Sequence, residues 1–378
     1  MAVRGMSRVT AVALIALVAQ AAAALGVPRD AGAAAPACTL AGVVATWPVR
    51  RLAEQTLVVP VQETNVGVVS AEVAAGAGGV ILFGHKAPSH LASKLRTLVG
   101  QAPHGIAPLV MTDEEGGAVQ RMPNLVGSMP SARTMAATMT RSQIRALATK
   151  VGSRMRKVGV TMNLAPVLDL DNGPGPSRTD PIGTRSFSLS VRTTTGDGFA
   201  FARGMRAGGE MPTVKHFPGL GQATGNTDLE PASTRRWSYL KTHGLLPFVS
   251  AINAGLPAVM VTNARVPGLT KLPATLSRAV VQGELRRRLG FHRLVLTDSL
   301  SAGAISGAGY EVSAASVRAV AVGADMVLFG ATPDLVAART RHVVRALVDA
   351  VATGALPRSR LQSAVVHVLR AKRVNLCS

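Results

Sequence analysis

The sequence is poor in acid, in aromatic rings and in cysteine. Asp and Glu number 20 in 378 residues, against 41 Lys and Arg, a formal charge of +21. Phe, Trp and Tyr make up 3% of the chain. A basic excess of this size suits nucleic acid, an acidic membrane surface or an anionic wall polymer. The arginines are scattered, however, and no basic run is interleaved with rings that could stack on bases, so no nucleic-acid partner is expected. With few rings available, Ala, Val and Leu must build the core, and hydrophobic residues still reach 47%. Aliphatic runs of this kind suit parallel strands buried on both faces. No glycine-rich dinucleotide turn follows the first strand, which weakens an open nucleotide-binding sheet. No metal-ligand spacing is found, and neither metal nor organic cofactor is expected.

At the N-terminus, Arg4 and Arg8 precede an apolar stretch from Val9 to Leu25, broken by Thr10 and Gln20. Small residues follow at Ala21–Ala24 and Ala31–Ala35. That order is the one of a secretory signal peptide. The stretch is short for a membrane span, which needs roughly 20 apolar residues. Residues 1–40 are therefore expected to be a signal peptide and flexible lead-in, and 41–378 one domain, secreted or associated with the cell envelope. An uncleaved anchor is the alternative. Lipidation of Cys38 is disfavoured because Ala35-Pro36-Ala37 lacks the leucine usual in lipoprotein signals.

Eight apolar runs of strand length follow: 56–61, 79–83, 108–112, 160–165, 212–215, 258–262, 294–297 and 326–329. Helical patterns alternate with them, at 91–99, 141–158, 191–207, 239–253, 277–289 and 313–322. Two more, at 334–352 and 358–371, close the chain. Eight strand–helix repeats with right-handed crossovers predict an α/β fold, a single (β/α)8 TIM-type barrel. The ends of a closed barrel lie close together. Cys38 and Cys377, the two cysteines, bracket the domain and are expected to pair, as an even count in an exported protein suggests.

In such a barrel the active site lies at the C-terminal ends of the strands. Four strand ends there carry ionisable groups: Asp113-Glu114-Glu115, Asp169, Lys215-His216 and Asp298. A fifth ends in Thr262-Asn263-Ala264-Arg265. Carboxylates beside a Lys-His pair suit sugar chemistry, where one carboxylate attacks or stabilises an oxocarbenium-like centre and an acid protonates the leaving oxygen. Extra carboxylates, Lys and Arg bind sugar hydroxyls through charge-assisted hydrogen bonds.

Five segments together resemble the single-domain β-N-acetylglucosaminidases of glycoside hydrolase family 3. Asp113-Glu114-Glu115-Gly116-Gly117 with Gln120-Arg121 is similar to that family's D-x-E-G-G-x-V-x-R motif. Asn163–Asp169 is similar to its F-A-P-V-L-D strand, and Ile182–Phe187 to I-G-x-R-S-F. Lys215–Gly219 matches K-H-F-P-G, and Leu296–Ser301 resembles the nucleophile strand. The resemblance implies that Asp298 is the nucleophile, with Asp113, Arg121, Arg185, Lys215 and His216 binding sugar. Asp169 is expected to brace the rim, and Glu114 and Glu115 to anchor loops. The family's Asp-Ser/Thr-His dyad is altered: Asn226 stands where its Asp stands, and Asp228 where its His acts as acid/base. Leu220 and Asn263 also stand where histidines are common. Asp228 is the first candidate for the acid and Glu230 the second.

The resulting expectation is a retaining exo-β-N-acetylhexosaminidase, monomeric, acting on amino-sugar glycans, with anionic cell-wall polymers as a partner for its basic surface. Three readings stand beside it. One is another family 3 sugar specificity; another is a catalytically weak or inactive glycan-binding wall protein on the same barrel. The third is a Schiff-base enzyme using Lys215.

Overall fold

The computed structural model describes residues 38–377. The expected signal peptide, Arg4 to Leu25 and its small-residue flank, lies outside the described residues.

The aliphatic runs form eight parallel strands. These are β1 (Leu57–Gln62), β2 (Gly79–Phe83), β3 (Leu109–Thr112), β4 (Met162–Asn163), β5 (Met211–Phe217), β6 (Ala258–Val261), β9 (Leu294–Thr297) and β10 (Val327–Leu328). A separate antiparallel hairpin, β7 (Arg265–Val266) and β8 (Thr270–Pro273), follows β6. The barrel order is β10-β1-β2-β3-β4-β5-β6-β9. The parallel bridge Leu296–Met326 and the bond from the Thr297 N–H to the Met326 carbonyl, 3.1 Å, join β9 to β10 and close the ring. All eight expected strands are therefore present.

Alternation along the strands divides the core in two. Val58, Ile81, Met111, Met162, Met260, Leu296 and Met326 fill the barrel interior. Their neighbours Val59, Val80, Leu82, Val110, Val259 and Val295 face the helices. The methionines suit the inner layer because an unbranched, flexible side chain fills irregular gaps.

The helices expected at 91–99, 141–158, 191–207 and 358–371 have those bounds. The helix 141–158 starts with a full capping box between Thr140 and Gln143 and ends at Gly159 with φ 105°. It lies close against 191–207, where a Cβ on Gly204 would stand 2.4 Å from the Arg145 carbonyl oxygen. Two expectations need correction. The segment 239–253 is two helices, Trp237–Thr242 and Leu246–Asn253, because the chain turns at His243-Gly244 and Pro247 starts a second helix. The segment 277–289 is a π-helix over Ala279–Arg288.

Two devices tie the domain together below the rim. Asp325, fully buried, binds Arg286 at 2.5 Å, Arg360 at 2.9 Å and His367 at 3.0 Å, and accepts the Val295 N–H. Burial alone would raise its pKa; the Arg286 charge, the His367 hydrogen bond and the Arg360 charge outweigh that and hold it well below the ordinary carboxylate range. Cys38 and Cys377 form a disulfide across 339 residues.

Asp325→Asn leaves Arg286 and Arg360 without their counter-charge, and is expected to cost about 3–5 kcal/mol in urea unfolding. The wild-type carboxylate stabilises the fold above its unfolded pKa of about 3.9 and loses that contribution as pH falls toward the depressed native value. The acid limb of stability against pH should flatten in the variant. Replacing both cysteines by serine should lower stability by about 2–5 kcal/mol.

Candidate active site

The C-terminal ends of β3, β5 and β9 and three loops above them enclose a pocket of about 230 Å3. Asp113, Arg121, Arg185, Lys215, His216, Asp228 and Asp298 all line it, together with Glu115. The expected nucleophile, the first acid candidate and the residues expected to bind sugar are therefore at one place. Ile81, Leu164, Met260 and Leu328 make an apolar floor.

An ion network organises the wall. The Lys215 ammonium, 2% exposed as a residue, sits 2.6 Å from Asp113 Oδ1 and 2.6 Å from Glu115 Oε1. Arg185 forks onto the same Glu115, with Nε to Oε2 at 2.8 Å and Nη2 to Oε1 at 2.9 Å. Burial would raise Glu115, but the Arg185 and Lys215 charges hold it well below the usual range. Burial would lower Lys215, but Asp113 and Glu115 push its pKa up. Lys215 is thus a fixed cation, not a neutral amine, and the Schiff-base reading loses its nucleophile. Arg121 stands apart, 3.8 Å from Asp113 and over the Phe83 ring at 5.7 Å. Phe83 was not singled out in the sequence; its place at the end of β2 was the only signal.

Asp169 is fully buried and takes the N–H of Leu220 at 2.6 Å. It also binds His216 Nδ1 at 2.6 Å. A carboxylate can only accept, so the shared proton is on Nδ1 and Nε2 points toward Arg185, 3.5 Å away. Glu114 accepts the Arg121 and Met122 N–H groups at 2.8 and 2.7 Å and the Gln120 amide at 2.8 Å. Glu114 anchors the loop and does not line the pocket.

Asp298 leaves β9 with its N–H on the Val261 carbonyl and Oδ1 on the Ser299 N–H at 2.7 Å. Asp228 sits on the loop opposite. Asn226 Oδ1 accepts the Asp228 N–H at 3.0 Å, an Asx turn that aims the following residues. The loop is tied to the chain after Asp298, because Gly303 and Ala304 donate to the Asp228 and Thr227 carbonyls at 2.9 and 3.0 Å. A Cβ on Gly303 would lie 2.2 Å from the Leu229 oxygen, so only glycine allows this approach. Desolvation and the Asp298 charge raise the Asp228 pKa, opposed by Arg185 and His216. The residue is solvent-exposed at the pocket mouth, so the push is that of a rim group rather than a sealed one.

The Glycosyl hydrolase family 3 N terminal domain matches residues 55–371. This chain belongs to glycosyl hydrolase family 3. The beta-hexosaminidase LpqI of Mycobacterium tuberculosis is 37% identical over 273 residues, 70% of this chain and 68% of LpqI. The solved structure of LpqI superposes with a TM-score of 0.79 at 34% identity, covering 89% of this chain and 96% of that one. A beta-N-acetylhexosaminidase from Beutenbergia cavernae gives a TM-score of 0.78 at 29% identity, over 87% of this chain and 100% of that chain. An uncharacterized secreted glycosyl hydrolase of Arthroderma benhamiae is 33% identical over 295 residues, 75% of this chain and 81% of its own.

One sequence candidate of this family 3 glycoside hydrolase falls outside the pocket, and so does Asn263, noted at the end of the sixth strand. Glu230 pairs with Arg178 at 3.3 Å on the outer side of the loop and does not line the cavity, so it is removed as an acid candidate. Asn263 donates to the Ser299 carbonyl at 2.7 Å, behind the wall, and supports the turn after Asp298.

Lys215→Met should be among the most destabilising changes at the rim, by about 3–5 kcal/mol in denaturant melts, because it deprives Asp113 and Glu115 of a buried counter-charge. Arg121→Gln breaks one long contact of a partly exposed group and should cost at most about 1 kcal/mol while raising KM. Equal stability losses would show that the network does not have Lys215 at its centre.

Proposed function

We propose that the enzyme is a retaining exo-β-N-acetylhexosaminidase, with Asp298 as the nucleophile and Asp228 as the acid/base. The observation that carries this is the meeting of Asp298 and Asp228 in one pocket whose other polar groups are paired with one another. Asp298 holds one oxygen on the Ser299 N–H and receives no further hydrogen bond from a described residue, which leaves the other for a sugar carbon. Asp228 is biased toward its protonated form by desolvation and by the Asp298 charge, as an acid that protonates a leaving oxygen requires. Asp113, Arg121, Arg185, Lys215 and His216 bind the hydroxyls. The pocket, at about 230 Å3, is smaller than the roughly 300–1,000 Å3 of drug-sized ligand sites, which suits a single terminal sugar. Relatives named beta-hexosaminidase favour an N-acetylated sugar.

In this proposal Asp298 attacks the anomeric carbon while Asp228 protonates the departing oxygen. After the leaving group is exchanged for water, the Asp228 carboxylate takes the water's proton and the glycosyl ester is hydrolysed. Residues 1–40 act as an export signal and lead-in to the barrel domain, so the substrate is met outside the membrane, in cell-wall fragments or related glycans. One observation favours the glycan-binding alternative: Asn226 and Asp228 replace the family's Asp and His, so the usual acid/base is not present.

Dinitrophenyl β-N-acetylglucosaminide departs without protonation and separates the two roles. Asp298→Asn should abolish its turnover. Asp228→Ala should leave bond cleavage in that substrate nearly intact yet slow an unactivated glycan by about 10²–10⁴-fold. The acid must hold its proton, and the pKa of Asp228 is raised, so the alkaline limb for the unactivated glycan lies above the ordinary Asp range and vanishes in the variant. Wild-type turnover no faster than Asp298→Asn, with glycan binding intact, would favour the binding protein.

A further inference from the structure

A second, wider cavity is at the opposite end of the barrel, around the N-terminal ends of β3, β5, β6 and β9. Its volume is about 1,010 Å3, more than four times that of the sugar pocket, and it opens to solvent. Seven arginines and Lys372 line it. They arrive from four separate places: the helices 141–158 and 191–207, the end of the helix 358–371 with the two residues after it, and the turn before β9. None of the seven guanidinium groups makes an ion pair with a described residue. Lys372 behind them donates to Gln55 at 2.9 Å and is lowered by burial to about 7.

The one carboxyl group in the lining does not neutralise them. Glu210 is 3% exposed, and neither of its side-chain oxygens has a hydrogen-bond partner among the described residues. Burial pushes it up to about 8 against the pull of Arg156. In its protonated form it carries one O–H without a partner, beside the cavity. A buried polar group without a partner calls for one, and seven like charges facing one space repel unless an anion enters.

A lone carboxylate would offset one of these charges. An oligoanion of closely spaced groups would offset several, and guanidinium forks bind phosphate oxygens in pairs. No Phe, Tyr or Trp lines the cavity, and of its two imidazoles His367 is held by Asp325, so the rings on which single-stranded nucleic acid usually stacks are lacking. The arrangement therefore favours a phosphate chain without bases. We propose that this basal cavity is an anion-binding exosite for a phosphate-linked oligomer, of the poly(polyol phosphate) or polyphosphate type, in which Glu210 donates to a phosphate oxygen. It would hold the enzyme to an anionic polymer while the sugar pocket faces away. It does not depend on the reading of the sugar pocket.

The test is calorimetric titration of the purified full chain with a glycerol-phosphate oligomer, and separately with inorganic polyphosphate, to distinguish the two sources of phosphate. Arg203→Gln/Arg206→Gln/Arg370→Gln removes three exposed cavity charges; Arg192→Gln/Arg278→Gln/Arg341→Gln removes three exposed charges elsewhere. The cavity variant should bind at least tenfold more weakly, with a salt dependence of log K shallower by about 2–3. The control should change little, and both should keep wild-type turnover of the dinitrophenyl sugar. Glu210→Gln keeps a donor and should bind as the wild type does, whereas Glu210→Ala should lose about tenfold. Equal weakening in the two triple variants would reduce the effect to diffuse surface charge and overturn the proposal. So would failure of both phosphate oligomers to bind, or equal affinity for poly-glutamate or single-stranded DNA of the same charge.

Discussion

The Lys215 ammonium, shared between Asp113 and Glu115 at 2.6 Å each, is the contact on which the rim depends. It joins the ends of β3 and β5, which are not adjacent in the ring, across β4. Buried charges are costly unless paired, so the network admits only arrangements in which all four charges meet. Arg185 enters because Glu115 has a second oxygen to satisfy, and His216 follows from its place beside Lys215. Asp169 then fixes the imidazole and, through the Leu220 N–H, the start of the loop that carries Asp228. Positioning at the rim is thus a chain of charge and hydrogen-bond satisfaction that begins from one lysine.

That chain leaves two carboxyl groups outside the network. Asp298 and Asp228 face the same small space, where desolvation and the Asp298 charge raise the cost of ionising Asp228. In the proposed mechanism, an Asp in place of a histidine acid/base would change the physics of the step: a neutral donor would become an anion after transfer, in a site holding the nucleophile's charge until the glycosyl ester forms. The Gly303 approach ties the Asp228 loop to the segment following Asp298. The charge balance of the pocket, three fixed cations against four carboxyl groups, suits a neutral sugar. The cation-rich basal cavity does not, and the two ends of the barrel are chemically distinct.

Much of this was legible in the chain. Apolar runs of strand length located all eight barrel strands, because strands buried on both faces leave little else for the sequence to encode. The hairpin Arg265–Pro273 escaped because two- and four-residue strands carry no periodicity, although Pro267-Gly268 marked its turn; Gly268 has φ 88° there. The π-helix at 279–288 has no signature in residue type. At the rim, the strand-end charges were visible, but not which would pair: Glu115 gave no sign that it would hold both Lys215 and Arg185. The arginines of the basal cavity read as scattered because their convergence is a property of the barrel's lower end, where distant helices meet.

The most direct test is to trap the glycosyl-enzyme. Asp228→Ala, incubated with an activated fluorinated N-acetylglucosaminide, should accumulate a covalent adduct of one sugar residue on the intact protein. Peptide mapping should place it on Asp298. An adduct on another carboxylate, or none while the activated sugar is turned over, would contradict the account.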